Sequence, residues 1–477
     1  MSTQEIRKVR RQESRRNKIS VVLRRKIGSS SVLDTKLEIE SHSFDGLRPY
    51  RGYDLPPKGY PPDLVVTPRS TKHVISIVET ARQFGVPIFP RGGGTGLMGG
   101  AVALTRGVVI DFAKMNRVLK VDEKDQSVVV QPGARIGDVN KLLKKKDLTL
   151  GHDPWTRDYA TVGGSISTNG MGYYGLKYGS MGEQVLGLKV VLPDGTQIET
   201  PPVQYSSTGF DLRRLFIGTE GTFGLITEAT VRCFPIPESE KVIGFSFPSF
   251  ESGFEAVLEV QRKELSPVSM DLQGEGYDGR CELYLVFSGL SEHVKASTEK
   301  CDTLLSSKRG AKKLGDKEAA SYWESRHEIA DQYEESVKRD PLSSFREKKS
   351  FDFIHVGLPA SKILEYKKKV AALAKRRRIA VEGYGVWIKP EQFNFNFTRD
   401  SHVPEKNLER TVDDSLKIAV KLGGSIEYCH GVGFRLGSFL PLQYGKGFDV
   451  MKKLKRQLDP QDILNRGKLG FSYSDQS

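Results

Sequence analysis

Apolar residues recur at helical spacing between residues 70 and 85, and strand-like runs follow this segment. Ser70 can cap the start of a helix here, and Gly85 can end it. The apolar face of this helix would consist of Val74, Ile75, Val78 and Ala81. Residues 86–89 and 107–112 are apolar, so each predicts a buried strand. The predicted order is therefore helix, strand, loop, strand.

Both helical and strand periods continue along the rest of the chain. They predict a hairpin formed by residues 188–192 and 197–199, and strands over 242–247 and 283–287. They also predict helices within 133–146, where a loop comes first, and over 254–263, 294–305, 319–333 and 361–375. In the first of these helices Leu142 belongs to the predicted apolar face. Phe393, Phe395 and Phe397 recur at period two, so they should share one face of a strand.

The loop at residues 90–100 contains six glycines in eleven positions. Glycine adopts positive φ freely and has no side chain, so several backbone N–H groups can converge on one anion. Residues 94–99 match G-x-G-x-x-G, but a strand follows them instead of a helix, which argues against a Rossmann site. Two later segments, 161–172 and 217–227, also pair glycine with hydroxyl or amide side chains. Together they indicate a site for a cofactor pyrophosphate.

Residues 90–100, 153–164 and 219–227, in this order, resemble the flavoenzymes of the vanillyl-alcohol oxidase type. The similarity is greatest to alkyldihydroxyacetone-phosphate synthases and to D-lactate, glycolate and D-2-hydroxyglutarate dehydrogenases. It implies an α+β fold with a PCMH-type FAD-binding domain of two subdomains and an α+β cap domain with an antiparallel sheet. The expected divisions are a basic extension at 1–58, the FAD-binding domain at 59–238, the cap at 239–425, and a C-terminal segment at 426–477 that returns to the flavin.

The resemblance also implies which residues contact FAD. They are Pro90, Arg91, Gly92, Gly93, Gly94, Thr95, Gly96, Leu97, Pro154, Thr161, Gly163, Gly164, Ser167, Asn169, Gly172, Glu220, Gly221, Gly224, Ile226 and Asn465. In some members a histidine of the glycine loop binds the flavin covalently. Gly94 and Thr95 take that place here, so we expect noncovalent FAD.

Composition limits where the protein can act. The longest apolar runs are far shorter than the roughly 18 residues that a transmembrane helix needs, and no secretory signal follows the N-terminal basic stretch. Four cysteines without a C-x-x-C pair indicate reduced intracellular thiols. We therefore expect a cytoplasmic protein, with a peripheral position on the inner membrane face as the alternative.

The net charge of +14 is concentrated at the N-terminus, where residues 1–26 hold ten Lys or Arg and two Glu. This segment predicts either a basic amphipathic helix on an anionic membrane surface or a solvated helix packed on the protein. No aromatic residues are interleaved with the charges, so we expect no nucleic-acid partner. A homodimer is expected.

Oxidation of an alcohol by FAD needs a base for the hydroxyl proton and a group that fixes the substrate. By resemblance, His430 before Gly431 lies beside the flavin and is the candidate base, with Tyr428 as a second acid or hydrogen-bond donor. Arg326 ends a segment that resembles the W-x-x-R of the dehydrogenases, where the arginine binds the substrate carboxylate. His355 and Lys389 are weaker candidates, for which structural roles are favoured.

The chain departs from the dehydrogenases at their metal site. There an H-x₆-H strand motif and the glutamate of E-H-G hold the ion. Here residues 384–397 contain no histidine, Val386 and Phe393 stand roughly where the two histidines would be, and Cys429 replaces the glutamate. The remaining ligands are too few for a divalent site, so no catalytic metal is predicted.

Three functions follow from these features. The first is an FAD-dependent oxidoreductase that oxidises a small D-2-hydroxy acid such as lactate or glycolate by hydride transfer to flavin N5. It would pass electrons to a quinone, an electron-transfer protein or oxygen. The second is a redox-neutral, synthase-like enzyme of ether-lipid synthesis that forms a flavin N5 adduct with a phosphorylated substrate. The third is a non-enzymatic subunit of an electron-transfer complex.

Overall fold

The computed structural model describes residues 3–47, 59–274, 279, 281–339 and 350–471. These residues form three β-sheets with helices packed around them. The helices are α1 Thr3–Ile27, α2 Lys36–Ser41, α3 Thr71–Phe84, α4 Ile136–Leu143, α5 Val162–Thr168, α6 Gly175–Tyr178, α7 Phe250–Arg262, α8 Ser291–Ser306, α9 Asp316–Glu324, α10 Glu328–Arg339, α11 Ile363–Arg376, α12 Glu405–Lys421, α13 Leu440–Tyr444 and α14 Lys446–Leu458.

The first sheet has the order β1-β2-β4-β3, and its central strand β4 runs parallel to both neighbours. Its strands are β1 Val32–Leu33, β2 Leu64–Val66, β3 Ile88–Arg91 and β4 Val108–Asp111. The predicted helix is α3, which Ser70 caps by accepting the His73 N–H and which Gly85 ends at φ 59°. The glycine loop connects β3 to β4, as the helix, strand, loop, strand order predicted. Strand β3 begins two residues later than predicted.

The second sheet is antiparallel, with the order β5-β6-β10-β8-β9, and β7 pairs with β10. Its strands are β5 Val118–Asp122, β6 Ser127–Val130, β7 Leu148–Leu150, β8 Val185–Val191, β9 Gln197–Glu199 and β10 Leu225–Pro235. The predicted hairpin is β8 and β9. Leu142 does not belong to the buried face of α4, because 38% of it is exposed while Val139 and Leu143 are buried.

The third sheet is antiparallel and has seven strands in the order β14-β11-β13-β12-β16-β17-β15. They are β11 Ser239–Phe247, β12 Ser269–Gln273, β13 Cys281–Gly289, β14 Lys312–Lys313, β15 Phe351–Gly357, β16 Ala380–Trp387 and β17 Gln392–Thr398. Phe393, Phe395 and Phe397 all lie in the core, which confirms the predicted shared face. Asn394 and Asn396 consequently point to the opposite face, and both line the cavity described below.

The helix predicted over residues 319–333 is wrong as a continuous element. A short 3-10 turn, Ser325–His327, separates α9 from α10. Tertiary contacts account for this interruption, because both the side chain and the backbone carbonyl of Arg326 bind residues from other parts of the chain. Its side chain pairs with Asp153 at 3.0 Å, and its carbonyl accepts a hydrogen bond from the Tyr173 hydroxyl at 3.1 Å.

The N-terminal helix α1 packs on the protein through Ile19, Leu23 and Ile27, which join the core beneath α3. Arg24 of the same helix pairs with Asp34 at 2.8 Å. The apolar side of this part of α1 is therefore already covered, which favours the packed-helix interpretation. Four of the ten basic residues of the N-terminal segment lie within residues 1–13, whose side chains are outside the described part of the chain. None of the helices in the described ranges combines the length and the apolar character that crossing a bilayer requires.

Candidate active site

A cavity of about 970 Å³ lies where the glycine-rich segments, the cap sheet and the C-terminal segment meet. Its volume is at the upper end of the range typical of ligand sites, as a dinucleotide would need. All the residues predicted to contact FAD line this cavity, apart from Asn169, Gly172 and Asn465. Three segments far apart in sequence therefore surround one space, and the residues present fit the expected cofactor.

The glycine loop needs its glycines because the backbone turns sharply and packs closely. Gly94 and Gly99 have φ of 70° and 73°, in the left-handed region. A Cβ atom on Gly92 would lie 2.3 Å from Oγ1 of Thr161, the residue that caps α5. The loop therefore rests directly on the start of the second glycine-rich segment, which leaves the facing backbone open to a ligand.

The three exceptions lie behind the cavity lining, where they shape it. Asn169 ends α5 at φ 52°, and its Oδ1 accepts the Gly182 N–H at 3.0 Å. A Cβ atom on Gly172 would lie 2.7 Å from backbone atoms of Asp153. Asn465 donates its side-chain amide to the carbonyl of Glu220 at 2.6 Å. Each of the three makes a contact within the protein that accounts for its identity, and their contact with FAD stays a prediction.

Two buried charges fasten the C-terminal segment to the glycine-rich segments. Oε1 of Glu220 accepts the N–H groups of Val432 and Gly433 at 2.6 and 2.9 Å. The Lys468 ammonium donates to the carbonyls of Gly99 and Val102 at 2.5 and 2.8 Å. Burial lowers the pKa of Lys468 to about 7, against the opposite effect of Asp45 and Glu220. Sequence reasoning missed Lys468, because a lysine in a surface-like basic tail gives no signal of burial.

The segment fastened in this way carries His430 to the cavity wall. The His430 Nδ1 lies 3.3 Å from Oε1 of Glu427. Burial alone would raise the pKa of Glu427, but His430, His355 and backbone N–H donors lower it to about 2. Glu427 is therefore a carboxylate beside His430. Tyr428 does not line the cavity, although its ring lies 5.4 Å from that of His355.

His355, for which the sequence favoured a structural role, lies at the cavity wall beside His430. It lies on β15 with its ring 4.7 Å from the ring of His430, and both line the cavity. The missed signal is the alternation of Phe351, Phe353 and His355, which places all three on the cavity face of β15. Lys389 follows β16 in the turn before β17 and is not among the cavity-lining residues.

The premise of the prediction that no metal binds does not hold. Val386 and Phe393 are fully buried in the core, and Trp387 and Asn394 face the cavity instead. The fold brings together potential metal ligands other than the two histidines of H-x₆-H and the glutamate of E-H-G. Atoms of His355, Glu427, Cys429 and His430 all lie within 4.8 Å of one another.

Arg326 reaches the same cavity from the cap. Its Nε donates to the buried Asp153 at 3.0 Å, and its Nη1 donates to the carbonyl of Trp323 at 2.8 Å. The guanidinium also lies 4.1 Å from the centre of the Trp323 ring. No described residue accepts a hydrogen bond from Nη2. The side chain is thus fixed in place with one donor group left for a ligand.

The cap contributes further lining residues that the sequence did not single out. They include Asp271, Gln273, Tyr322, Tyr384, Trp387 and Asn396. Burial raises the pKa of Asp271, and the Tyr322 hydroxyl donates to its carboxyl group. Strand alternation could have placed some of these side chains on one face, but only the sheet order shows which face meets the glycine loop.

His152 is fully buried at the cavity wall, and its Nδ1 has no hydrogen-bond partner among the described residues. Burial lowers the pKa of His152 from 6.5 to about 4, against the opposite effect of Asp153. The folded protein therefore resists protonation that the unfolded chain accepts. The contribution of the neutral His152 imidazole to the free energy of unfolding is complete above pH 6.5 and is lost as the pH falls toward 4.

We predict that the free energy of unfolding of the wild type falls by about 3 kcal/mol more than that of His152→Gln between these two pH values. Urea unfolding at a series of pH values, with excess FAD throughout, measures this difference. The exposed His293→Gln variant, which should follow the wild type, is the control. Parallel profiles of wild type and His152→Gln would rule out the buried neutral imidazole.

Comparison with known proteins agrees with this architecture. Residues 62–201 match the model of an FAD binding domain, and residues 236–469 match the model of the C-terminal domain of FAD linked oxidases. The chain is 30% identical to glycolate oxidase subunit GlcD of Bacillus subtilis over 429 residues, covering 86% of this chain and 89% of the relative. It is 29% identical to D-lactate dehydrogenase of Archaeoglobus fulgidus over 474 residues, covering 92% and 98%.

Synthases are also similar to this chain. Alkyldihydroxyacetonephosphate synthase of Trypanosoma brucei brucei is 28% identical over 475 residues, covering 86% of this chain and 73% of the relative. Among solved structures, an alkyldihydroxyacetonephosphate synthase has a TM-score of 0.76 at 21% identity and covers 94% of this chain and 85% of its own. p-Cresol methylhydroxylase has a TM-score of 0.78 at 15% identity, covering 97% and 98%.

These structural similarities confirm the predicted α+β fold of the PCMH type. The family models and the curated relatives confirm FAD as the cofactor. The chain belongs to the family of FAD-linked oxidases and is an FAD-dependent oxidoreductase.

Proposed function

We propose that this protein oxidises a small D-2-hydroxy acid, such as lactate or glycolate. The observation that carries the proposal is that His430 and Arg326, which lie over 100 residues apart, line the same cavity as the FAD-binding glycine segments. A hydroxy acid needs both a proton acceptor at its hydroxyl and a cation at its carboxylate. This cavity offers one of each.

Arg326 is suited to the carboxylate. A guanidinium donates to carboxylates in a fixed planar geometry, and such charge-assisted hydrogen bonds are the stronger ones in proteins. Asp153 and the Trp323 carbonyl already hold two of its nitrogens, so little side-chain freedom remains to be lost when a substrate binds Nη2.

His430 is suited to the hydroxyl proton. With a proton on Nδ1 facing the Glu427 carboxylate 3.3 Å away, Nε2 carries the lone pair that can accept the substrate proton, and only the Cys429 Sγ, at 3.6 Å, contacts it among the described side chains. Glu427 then offers an opposite charge to the imidazolium that forms. The glycine-rich segments that line the cavity would hold FAD, which would supply a hydride acceptor for the other half of the reaction. The residues on the chain bind the acid, orient it and take up its proton.

The names of the relatives agree with this substrate class. One is named a glycolate oxidase subunit, and another is named a D-lactate dehydrogenase; together with the arginine–histidine pair, they favour a D-2-hydroxy acid over a phosphorylated substrate. The relative named alkyldihydroxyacetonephosphate synthase keeps the redox-neutral reaction as the second candidate.

Anaerobic mixing tests the substrate class. The purified protein, loaded with FAD and treated with a chelator, is mixed without oxygen with matched D- and L-2-hydroxy acids, and the visible absorbance of oxidised flavin is followed. The proposal predicts loss of this absorbance with a small D-acid and a much slower loss with its L-enantiomer. If no hydroxy acid reduces the flavin and an acyl-dihydroxyacetone phosphate bleaches it, the synthase-like reaction replaces the proposal.

We predict that His430→Asn slows flavin reduction by the best D-acid about 10²- to 10⁴-fold, because a positioned general base contributes that much to a proton transfer. Stopped-flow absorbance at saturating substrate measures the rate. His293→Asn, an exposed histidine on α8, is the matched control and should keep the wild-type rate. An unchanged rate in His430→Asn with FAD still bound would remove the base assignment.

Arg326→Met is predicted to raise the KM for the hydroxy acid about 10- to 100-fold, because a charge-assisted hydrogen bond to the carboxylate is lost. The matched control is Arg157→Met. Arg157 also lies near Asp153, at 3.9 Å, but it does not line the cavity, so its KM should change less than about threefold. Equal KM changes in the two variants would mean that Arg326 acts only through Asp153.

A further inference from the structure

We propose that His355, Glu427, Cys429 and His430 form a binding site for one zinc ion in the wall of the cavity. Each residue offers one ligand atom, and all four atoms lie within 4.8 Å of one another. They come from two places in the chain, strand β15 and the segment after α12, which the fold brings together. The inference does not depend on which substrate the enzyme takes.

Four of the six distances between the donor atoms are close to those of a tetrahedral zinc shell, and the other two, from Glu427 to Cys429 and to His355, are at most 4.8 Å. Bond lengths of about 2.0–2.1 Å to nitrogen and about 2.3 Å to sulfur imply separations of about 3.3 Å between two nitrogens and about 3.6 Å between nitrogen and sulfur. The Nδ1 atoms of His355 and His430 are 3.2 Å apart. The Cys429 Sγ lies 3.6 Å from the first and 3.2 Å from the second. Oε1 of Glu427 lies 3.3 Å from His430 Nδ1.

The chemistry of the donors selects the ion. Two imidazoles, a thiol and a carboxylate are the ligands that zinc takes in proteins, whereas magnesium and calcium require mainly oxygen. This set is not the H-x₆-H arrangement of the dehydrogenases. Trp387 and Asn394 face the cavity from β16 and β17, and the histidine here comes from the edge strand β15.

The backbone that carries the four side chains is fixed before an ion binds, although the two histidine rings are not yet oriented for it. Oε1 of Glu427 accepts the N–H groups of Tyr428, Cys429 and His430 at 2.8–3.1 Å, which holds three consecutive residues around the carboxylate. His355 is held in register opposite Asn394 by the pairing of β15 with β17. The His355 and His430 rings lie 18° from parallel, so ion binding requires both rings to rotate and direct their Nδ1 lone pairs to one point.

An ion in this site changes what His430 can do. Four protein ligands complete a tetrahedral shell, which leaves no position for a substrate oxygen. Zinc on Nδ1 also places the remaining ring proton on Nε2, where no lone pair is then left to accept a proton. The zinc-bound form and the proton-accepting form of His430 are therefore different tautomers that exclude each other. Zinc would act at this site as an inhibitor of the proposed reaction.

The binding test uses the untagged full-length protein with FAD bound. The protein is incubated with zinc, excess ion is removed by dialysis, and metal and flavin are quantified per chain. We expect one zinc per FAD in the wild type. Cobalt in place of zinc should give the intense near-ultraviolet band of a thiolate–cobalt bond and the visible bands of a tetrahedral ion. His355→Ala and Cys429→Ser should each weaken zinc binding at least about 10- to 100-fold, since loss of residues outside a ligand shell already costs that much.

Controls and a second readout keep the result decisive. The exposed His293→Gln variant should bind zinc like the wild type, and retained FAD shows that each variant is folded. The proposal is overturned if the wild type keeps no zinc, or if His355→Ala and Cys429→Ser bind it as tightly as the wild type. Slower flavin reduction after zinc loading, restored by chelator, tests the tautomer argument; this arm alone rests on the proposed function. Faster flavin reduction after zinc loading would contradict the claim that four protein ligands fill the coordination shell of the ion.

Discussion

The cavity exists because the C-terminal segment is fastened to the glycine-rich segments by buried charged groups. Glu220 binds the backbone at Val432 and Gly433, and Lys468 binds the carbonyls of Gly99 and Val102. Burying an ionised group is costly unless its hydrogen bonds are satisfied, so these charges are stable only when the three segments meet. The glycine loop depends on these contacts in turn, because the hydrogen bonds to the carbonyls of Gly99 and Val102 fix its curvature. The cofactor site and the catalytic wall are thus assembled by one set of interactions.

This arrangement explains how distant residues share one site. The edge of the first sheet pairs with the C-terminal segment, where Ile88 N–H donates to the carbonyl of Ile463 at 2.6 Å. An earlier part of the same segment brings Cys429 and His430 to the cavity wall, where His430 lies beside His355 of the cap. The cap, through β15 and the turn at Arg326, supplies the imidazole of His355 and the guanidinium. The FAD site, the proposed base His430 and the proposed anchor Arg326 therefore meet only when the C-terminal segment packs on the glycine-rich segments.

Sequence reasoning predicted the parts of the site that depend on local pattern. The glycine loop, its flanking strands, helix α3 and the alternating phenylalanines all follow from the spacing of apolar residues and from glycine's conformational freedom. Residues whose role depends on distant contacts were missed. His355 becomes a partner of His430 only through the register of β15 on β17, and Lys468 becomes a buried ligand of carbonyls only after the segment folds back. The helix predicted through Arg326 breaks because Asp153, over 150 residues earlier, binds that side chain.

The most direct measurement of this constraint is the affinity for FAD of Lys468→Met, compared with that of the exposed Lys453→Met. Lys468 lies behind the glycine loop and does not line the cavity, so it can affect FAD only through the shape of the loop. The loss of the two hydrogen bonds from Lys468 to the loop predicts at least about a tenfold weaker affinity for FAD in Lys468→Met, with the circular dichroism of the fold retained. Lys453→Met should bind FAD like the wild type. Equal affinity in both variants would contradict the account, because the loop would then hold its shape without the Lys468 hydrogen bonds.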